Sequence, residues 1–277
     1  MLIAQITDAH VGPPGHLFYG RVDTAAALAA AVAALNRLEP QPDIVLFTGD
    51  LADVGTDEEY AHISALLEPL AAPLAVIPGN HDARAPLRRA FAANPWLPAG
   101  VGPLNQVIED FPLRLIGLDT LDTTVPGPDG RFDAGRLDAG TLEWLETTLS
   151  RARDRATVIF MHHPPFATGI GHMDAIGCRN GDALGAIVAR HPQIERVLCG
   201  HVHRGVVMRW AGTVASICPS VAHQVALDLR QGAPAAFVTE TPAMQLHLWK
   251  PGAGLISHTL PIGPVSAAIR YDTGAPL

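Results

Sequence analysis

The chain has 277 residues, 48% of them apolar, and its 19 basic against 27 acidic side chains leave a formal charge of −8 at pH 7. That length supports one large domain or two small ones with ample core. The acidic balance argues against a long nucleic acid as the main partner, since no basic stripe is there to neutralise phosphates, and no run reaches the ~20 apolar residues of a membrane span.

In chain order, "LIAQI" (2–6), "DIVLFTG" (43–49), "LAVIPG" (74–79), "LRLIGLD" (113–119), "ATVIFMH" (156–162) and "IERVLCG" (194–200) are short apolar runs rich in β-branched residues, and predict buried strands. Helical patterns lie between them at 22–38, 56–70, 138–152 and 180–190. The first sets Leu28, Val32 and Leu35 on one face, with Asp23 or Thr24 as its N-cap. Strand–helix alternation predicts an α/β fold. Past residue 205, "GVVMRW", "TVASICPS", "AMQLHLWK" and "GLISHTLPI" predict strands joined by turns, forming a second, more antiparallel sheet or a sheet extension. Segments 122–135 and 163–180 are expected to be loops bordering a site. Without internal repeats or linkers, residues 1–277 are expected to form a single domain, with 206–260 as a cap or association region. Cys178, Cys199 and Cys218 are scattered, with neither a disulfide framework nor zinc-knuckle spacing, and the apolar start in MLIAQITDAH is too short for a signal peptide. A cytoplasmic location is therefore expected.

Polar residues gather where these strands end, the place at which open α/β sheets hold ligands. They are Asp8-Ala9-His10, Gly49-Asp50, Gly79-Asn80-His81-Asp82, His162-His163 and Gly200-His201-Val202-His203. Each has an ordinary explanation alone: a turn, a helix cap, a core histidine. Five in order, each after a predicted strand, point to a metal site, and the mixture of carboxylate, imidazole and amide suits Zn, Mn or Fe rather than Ca or Mg alone.

The order D-x-H, GD, GNHD, HH and GHxH resembles the calcineurin-like metallophosphoesterases. Within them the chain is most similar to the class III cyclic-nucleotide phosphodiesterases, and to their bacterial glycerophosphodiesterase branch through "YGRVDT", "TGDLADVGTDEEY", "IPGNHD", "FMHHPPF", "CGHVHR" and "VAHQV". The resemblance covers residues 1–225 well and the remainder loosely. It implies a four-layer αββα sandwich with a β-rich C-terminal part and a centre of two divalent transition-metal ions (Fe, Mn, Zn or Co). By position, Asp8, His10 and His203 would hold one metal, Asn80, His162 and His201 the other, and Asp50 would bridge them. Metals so paired lie ~3.5–4 Å apart and activate a water as nucleophile. The implied reaction is hydrolysis of a small phosphodiester, a glycerophosphodiester or a cyclic nucleotide. A phosphomonoesterase or nuclease on the same fold, or a non-catalytic binding module, stand as alternatives.

His81 would face substrate, as proton donor or charge stabiliser, together with Asn80 and His223, the last being equally explicable as a core residue. Asp82 would either orient His81 or cap the next helix. His163 is expected to be structural, Asp119 to fix a loop, and Tyr19 to lie at the site mouth or to pack. His16, His62, His172, His191, His247 and His258 read as surface or core residues, and Cys199 as an inert buried thiol. Near relatives associate through the late β region, so a dimer or larger assembly is implied. "GHVH" carries Val202 where the glycerophosphodiesterase branch tends to a polar residue, and the 120–135 loop is richer in Pro and Gly, so the leaving group is left open.

Overall fold

The computed structural model describes residues 1–126, 132–263 and 268–276; part of the 122–135 loop expectation therefore lies outside the described residues. All six early apolar runs form strands: β1 (Leu2–Ile6), β2 (Ile44–Thr48), β3 (Leu74–Ile77), β5 (Arg114–Leu118), β6 (Thr157–Met161) and β7 (Ile194–Cys199). β2, β5 and β6 are buried at every residue, as parallel strands covered on both faces must be. The predicted helices form as α1 (Thr24–Asn36), α2 (Asp57–Leu67), α4 (Ala139–Ser150) and α6 (Gly181–Val188). Asp23 is the α1 cap, accepting from the Ala26 amide at 2.9 Å. Among the early elements, three short ones escape the sequence patterns: α3 (Arg84–Ala90), β4 (Gln106–Ile108) and α5 (Gly171–Asp174), the last inside a predicted loop.

Side-chain alternation along the strands builds four layers. Ile3, Ile44, Leu46 and Ile77 of one sheet pack against Leu115, Val158, Phe160 and Leu198 of the other. On the far side of the first sheet, Ala4, Ile6, Val45 and Phe47 meet Leu28 and Leu35 of α1 and Tyr60 and Ile63 of α2. On the far side of the second, Ile116, Ile159 and Val197 meet Leu145 and Leu149 of α4 and Leu184 of α6. The order of layers is α, β, β, α.

The late strands β8 (Val206–Trp210), β9 (Thr213–Ile217), β12 (Ala243–Lys250) and β13 (Gly254–Pro261) extend both sheets instead of forming one of their own. The first sheet runs β13-β12-β1-β2-β3 and the second β4-β5-β6-β7-β9-β8. β1–β2–β3 and β5–β6–β7–β9 are parallel, while β12 enters antiparallel beside β1 with Gln5 opposite Gln245. A ribbon of β10 (Gln224–Val225) and β11 (Phe237–Val238) lies apart from both. Among the described residues no helix is long and apolar enough to cross a membrane.

Candidate metal centre

The chain turns sharply as it leaves β1, β2 and β7, and Asp8, His10, Asp50, His201 and His203 all adopt left-handed backbone with φ between 48° and 71°. For L-residues this costs ~1–2 kcal/mol each, and such strain collects at functional sites. It turns side chains from both sheets toward one point. Glycine is required beside them: a Cβ at Gly79 would meet the Asp50 carboxylate, and one at Gly49, itself at φ 93°, would meet the His162 ring.

Two clusters result, both buried apart from half-buried Asn80. In one, His203 Nε2 lies 3.3 Å from Asp8 Oδ1 and 3.1 Å from His10 Nε2. In the other, His162 Nε2 lies 3.2 Å from Asn80 Oδ1 and 3.3 Å from His201 Nδ1. A single oxygen, Asp50 Oδ2, stands 3.5 Å from His10 Nε2 and 3.3 Å from His162 Nε2. The seven residues singled out in the sequence are thus brought together.

The donors fit metal ions in chemistry as well as spacing. Thr48 O accepts from His162 Nδ1 at 2.8 Å and His223 O from His203 Nδ1 at 2.9 Å. A carbonyl can only accept, so each ring carries a proton on Nδ1 and directs Nε2 inward, where a metal ion would take the place of any second proton, the arrangement by which ligating histidines are held. Donors ~2.1 Å from a common ion fall ~3.0–3.4 Å apart, the spacing seen here. The ion pairs of Asp8 and Asp50 among the described residues are to histidines alone.

The electrostatics show the demand for positive charge. Burial pushes the Asp50 carboxyl up, but His162, His81 and His10 together hold it well below the usual carboxylate range. Burial opposes charge on His162, yet Asp50 and Asp8 raise it to about 9. His201 is lowered to about 3 by burial and by His162, so it stays neutral and able to donate a lone pair.

His81 sits beside both clusters, its ring centroid 4.5 Å from that of His10 and edge-on to it. Its amide donates to Asp50 Oδ1 at 2.9 Å, and its Nδ1 to the Asp53 carbonyl at 2.6 Å, which leaves Nε2 free. Asp82 neither orients that ring nor caps α3, whose N-cap is Ala83 without a side-chain bond. Its carboxylate accepts from the amides of Gly79, Leu51 and Ala52 and from the Tyr60 hydroxyl, fastening the turn of Asp50 to that of Asn80. His163 is structural: Nδ1 meets Thr120 Oγ1 at 2.8 Å and Nε2 the Asp133 carbonyl at 3.1 Å. Asp119 fixes its loop through the amides of Leu104 and Leu121 and through Arg84.

The clusters open into a cleft of about 540 Å³. His223 lines it, stacked on Phe18 at 4.3 Å with Phe237 edge-on, and lowered to about 3 by burial and His203. Tyr19 is 71% exposed at the mouth. Sequence reasoning missed His16, Asp53, His172 and Phe237, which also line the cleft or its mouth. Only Asp53 carried a signal, lying three residues beyond Asp50.

The family model for calcineurin-like phosphoesterases matches residues 1–205. The chain belongs to that family. It is 40% identical over 264 residues to a probable glycerophosphodiester phosphodiesterase of Arcobacter nitrofigilis, covering 95% of this chain and 94% of the relative. It is 30% identical over 222 residues to the 3′,5′-cyclic adenosine monophosphate phosphodiesterase of Escherichia coli K12, covering 80% and 76%. Among solved structures, a dimetal phosphatase from Danio rerio superposes with a TM-score of 0.61 at 15% identity, over 95% of this chain and 99% of that one, a likeness of fold. Family membership and the His/Asp clusters together imply divalent metal ions.

Proposed function

We propose that this calcineurin-like phosphoesterase hydrolyses small phosphodiesters, glycerophosphodiesters or cyclic nucleotides, with two divalent transition-metal ions. The observation that carries the proposal is the single Asp50 oxygen within 3.5 Å of an imidazole Nε2 in each of two clusters. Asp8, His10 and His203 would hold one ion, Asn80, His162 and His201 the other, and Asp50 both; Fe, Mn, Zn and Co all suit such donors. Ions held there would supply Lewis acidity toward a phosphoryl oxygen and acidify a water. Asn80, as a neutral ligand, limits the negative charge on its side of the site. His81, adding no donor to either set, presents Nε2 to the phosphoryl group or the leaving oxygen. His223 would bound the substrate from the opposite wall.

The substrate class rests on the relatives, whose names specify a glycerophosphodiester in one case and cyclic adenosine monophosphate in the other. The same proposal treats residues 1–277 as one domain, supported by the core that both sheets share. It gives the late strands a role in self-association, supported by exposed Val207 and Met208 on edge strand β8 and Ile256 on edge strand β13. Three free cysteines support a reducing, cytoplasmic setting.

The deciding experiment assays Mn- and Zn-loaded protein on glycerophosphodiesters, 3′,5′- and 2′,3′-cyclic nucleotides and phosphomonoesters. Turnover of a diester with retention of a monoester product is expected. Release of free phosphate from monoesters as the main activity would replace the proposal with a phosphomonoesterase, and no turnover with metals bound would leave a binding module.

A further inference from the structure

We infer that Glu59 and Tyr60, the two residues closing the "TGDLADVGTDEEY" motif, are positioning residues that fix His81 from two sides. This rests on the assignment of His81 to the substrate-facing side of a phosphodiesterase site.

The first side is a single amide plane. The Asp53 carbonyl that accepts from His81 Nδ1 at 2.6 Å shares its peptide unit with the Val54 N–H, and that N–H donates to Glu59 Oε2 at 3.2 Å. A peptide unit is planar and rigid, so fixing its N–H fixes the direction of its carbonyl, and through it the imidazole. Glu59 is 1% exposed, so this acceptor does not swing. The same oxygen accepts from Thr56 N at 2.9 Å, while Thr56 Oγ1 accepts from Glu59 N at 3.2 Å, making the capping box of α2. A capping box needs only that reciprocal pair. The bond to Val54 lies outside it and points toward the site.

The second side is the backbone beyond His81. Tyr60, 1% exposed, donates its hydroxyl to Asp82 Oδ1 at 2.8 Å and accepts from the Ala83 amide at 3.1 Å. The chain before and after His81 is therefore pinned, by Asp82 to the Gly79 amide and by Tyr60 to Ala83. The first turn of α2 thus reaches both the acceptor that orients the ring and the backbone that carries it.

The test compares Glu59→Ala, Glu59→Gln, Tyr60→Phe and Thr56→Ala in zinc-loaded protein. Glu59→Ala should lower kcat on alkyl diesters ~10²-fold, the cost of a misplaced catalytic group, with KM and metal content unchanged and activated aryl esters spared. Glu59→Gln keeps an acceptor oxygen and should restore most of the loss, and Tyr60→Phe should shift the alkyl-to-aryl ratio in the same direction as Glu59→Ala. Thr56→Ala breaks the capping box but leaves the bond to Val54, and should lower the melting temperature without moving that ratio. Nitrogen NMR of the His81 side chain should show a protected Nδ1–H in the wild type that is lost or averaged in Glu59→Ala. If Thr56→Ala changes the ratio as much as Glu59→Ala, or both ester types fall equally, or the His81 resonance is unmoved, the positioning role is overturned. Should Glu59→Ala not fold, an unchanged resonance and ratio in Tyr60→Phe overturn it equally. A wild-type protein inactive on every ester refutes the phosphodiesterase assignment, while the resonance still decides the positioning.

Discussion

The Nε2 atoms of His10 and His203 face each other across 3.1 Å inside the protein, and the Nδ1–H of His203 is committed to the His223 carbonyl. The lone pair of His203 Nε2 therefore points into the cluster, toward His10 and Asp8, and a cation held among these donors should stabilise the fold. We predict two ions per chain by elemental analysis after loading with Mn or Zn. A chelator should lower the melting temperature and reloading should restore it, since a ligand at 100 times its Kd adds ~2.7 kcal/mol. A melting temperature indifferent to chelation, or at most one ion after loading, would count against the assigned donors.

Asp50→Ala should be the most damaging single change among the seven donors, because one oxygen serves both clusters and the other accepts from the His81 amide. Loss of bound metal on both sides and of turnover is expected by elemental analysis and assay. Asp8→Ala should spare the ion held by Asn80, His162 and His201. Equal metal retention in the two variants would contradict the bridging role.

His81→Ala should keep its metals, since the ring adds to neither donor set, yet lose ~10²–10⁴ in rate on diesters with alkoxide leaving groups, the range for general acid catalysis. Aryl esters, whose leaving groups need no proton, should lose far less. Equal losses on both would leave only charge stabilisation for this residue, and loss of an ion would make it a ligand.

His247 provides a prediction remote from the metals. It is fully buried, with Nδ1 on Ser257 Oγ at 2.6 Å and Nε2 on Gln5 Oε1 at 3.1 Å. Burial and the nearby Arg196 depress it from 6.5 to about 3. The unfolded chain therefore binds the extra proton between those values, so stability rises with pH there and is lost as pH falls from about 6.5 toward 3. The slope is at most ~1.4 kcal/mol per pH unit from this group. Urea unfolding of His247→Gln should show a shallower acid loss than wild type, and identical slopes would refute it.

Much of the centre was legible because each donor follows its own strand within a few residues: Asp8 and His10 after β1, Asp50 after β2, Asn80 after β3, His162 after β6, His201 and His203 after β7. Such local signals survive without knowledge of tertiary contacts. The role of Asp82 did not, because its partners Leu51, Ala52 and Tyr60 lie 22 to 31 positions away and are chosen by the packing of α2 on the turns. Phe237 reaches the cleft only through the pairing of β11 with β10, which two-residue strands do not announce. α3 and β4, of seven and three residues, are too short for periodicity to register. The late strands were visible as strands, but not their partners: nothing in "AMQLHLWK" says that it pairs with residues 2–5 and not with its contemporaries.

That last pairing bears on how the protein is made. β1 has β2 on one flank and β12 on the other, so a ribosome delivers the strand leading to Asp8 and His10 nearly 240 residues before its second neighbour exists. Until then the first sheet has an open edge of unpaired amides beside its own apolar residues, the condition in which nascent chains attract chaperones or one another. Closure of that gap depends on contacts of long sequence separation, which form slowly. A truncation or frameshift late in the gene, beyond every proposed metal donor in sequence, would therefore leave an exposed seam next to the strand that leads to Asp8 and His10.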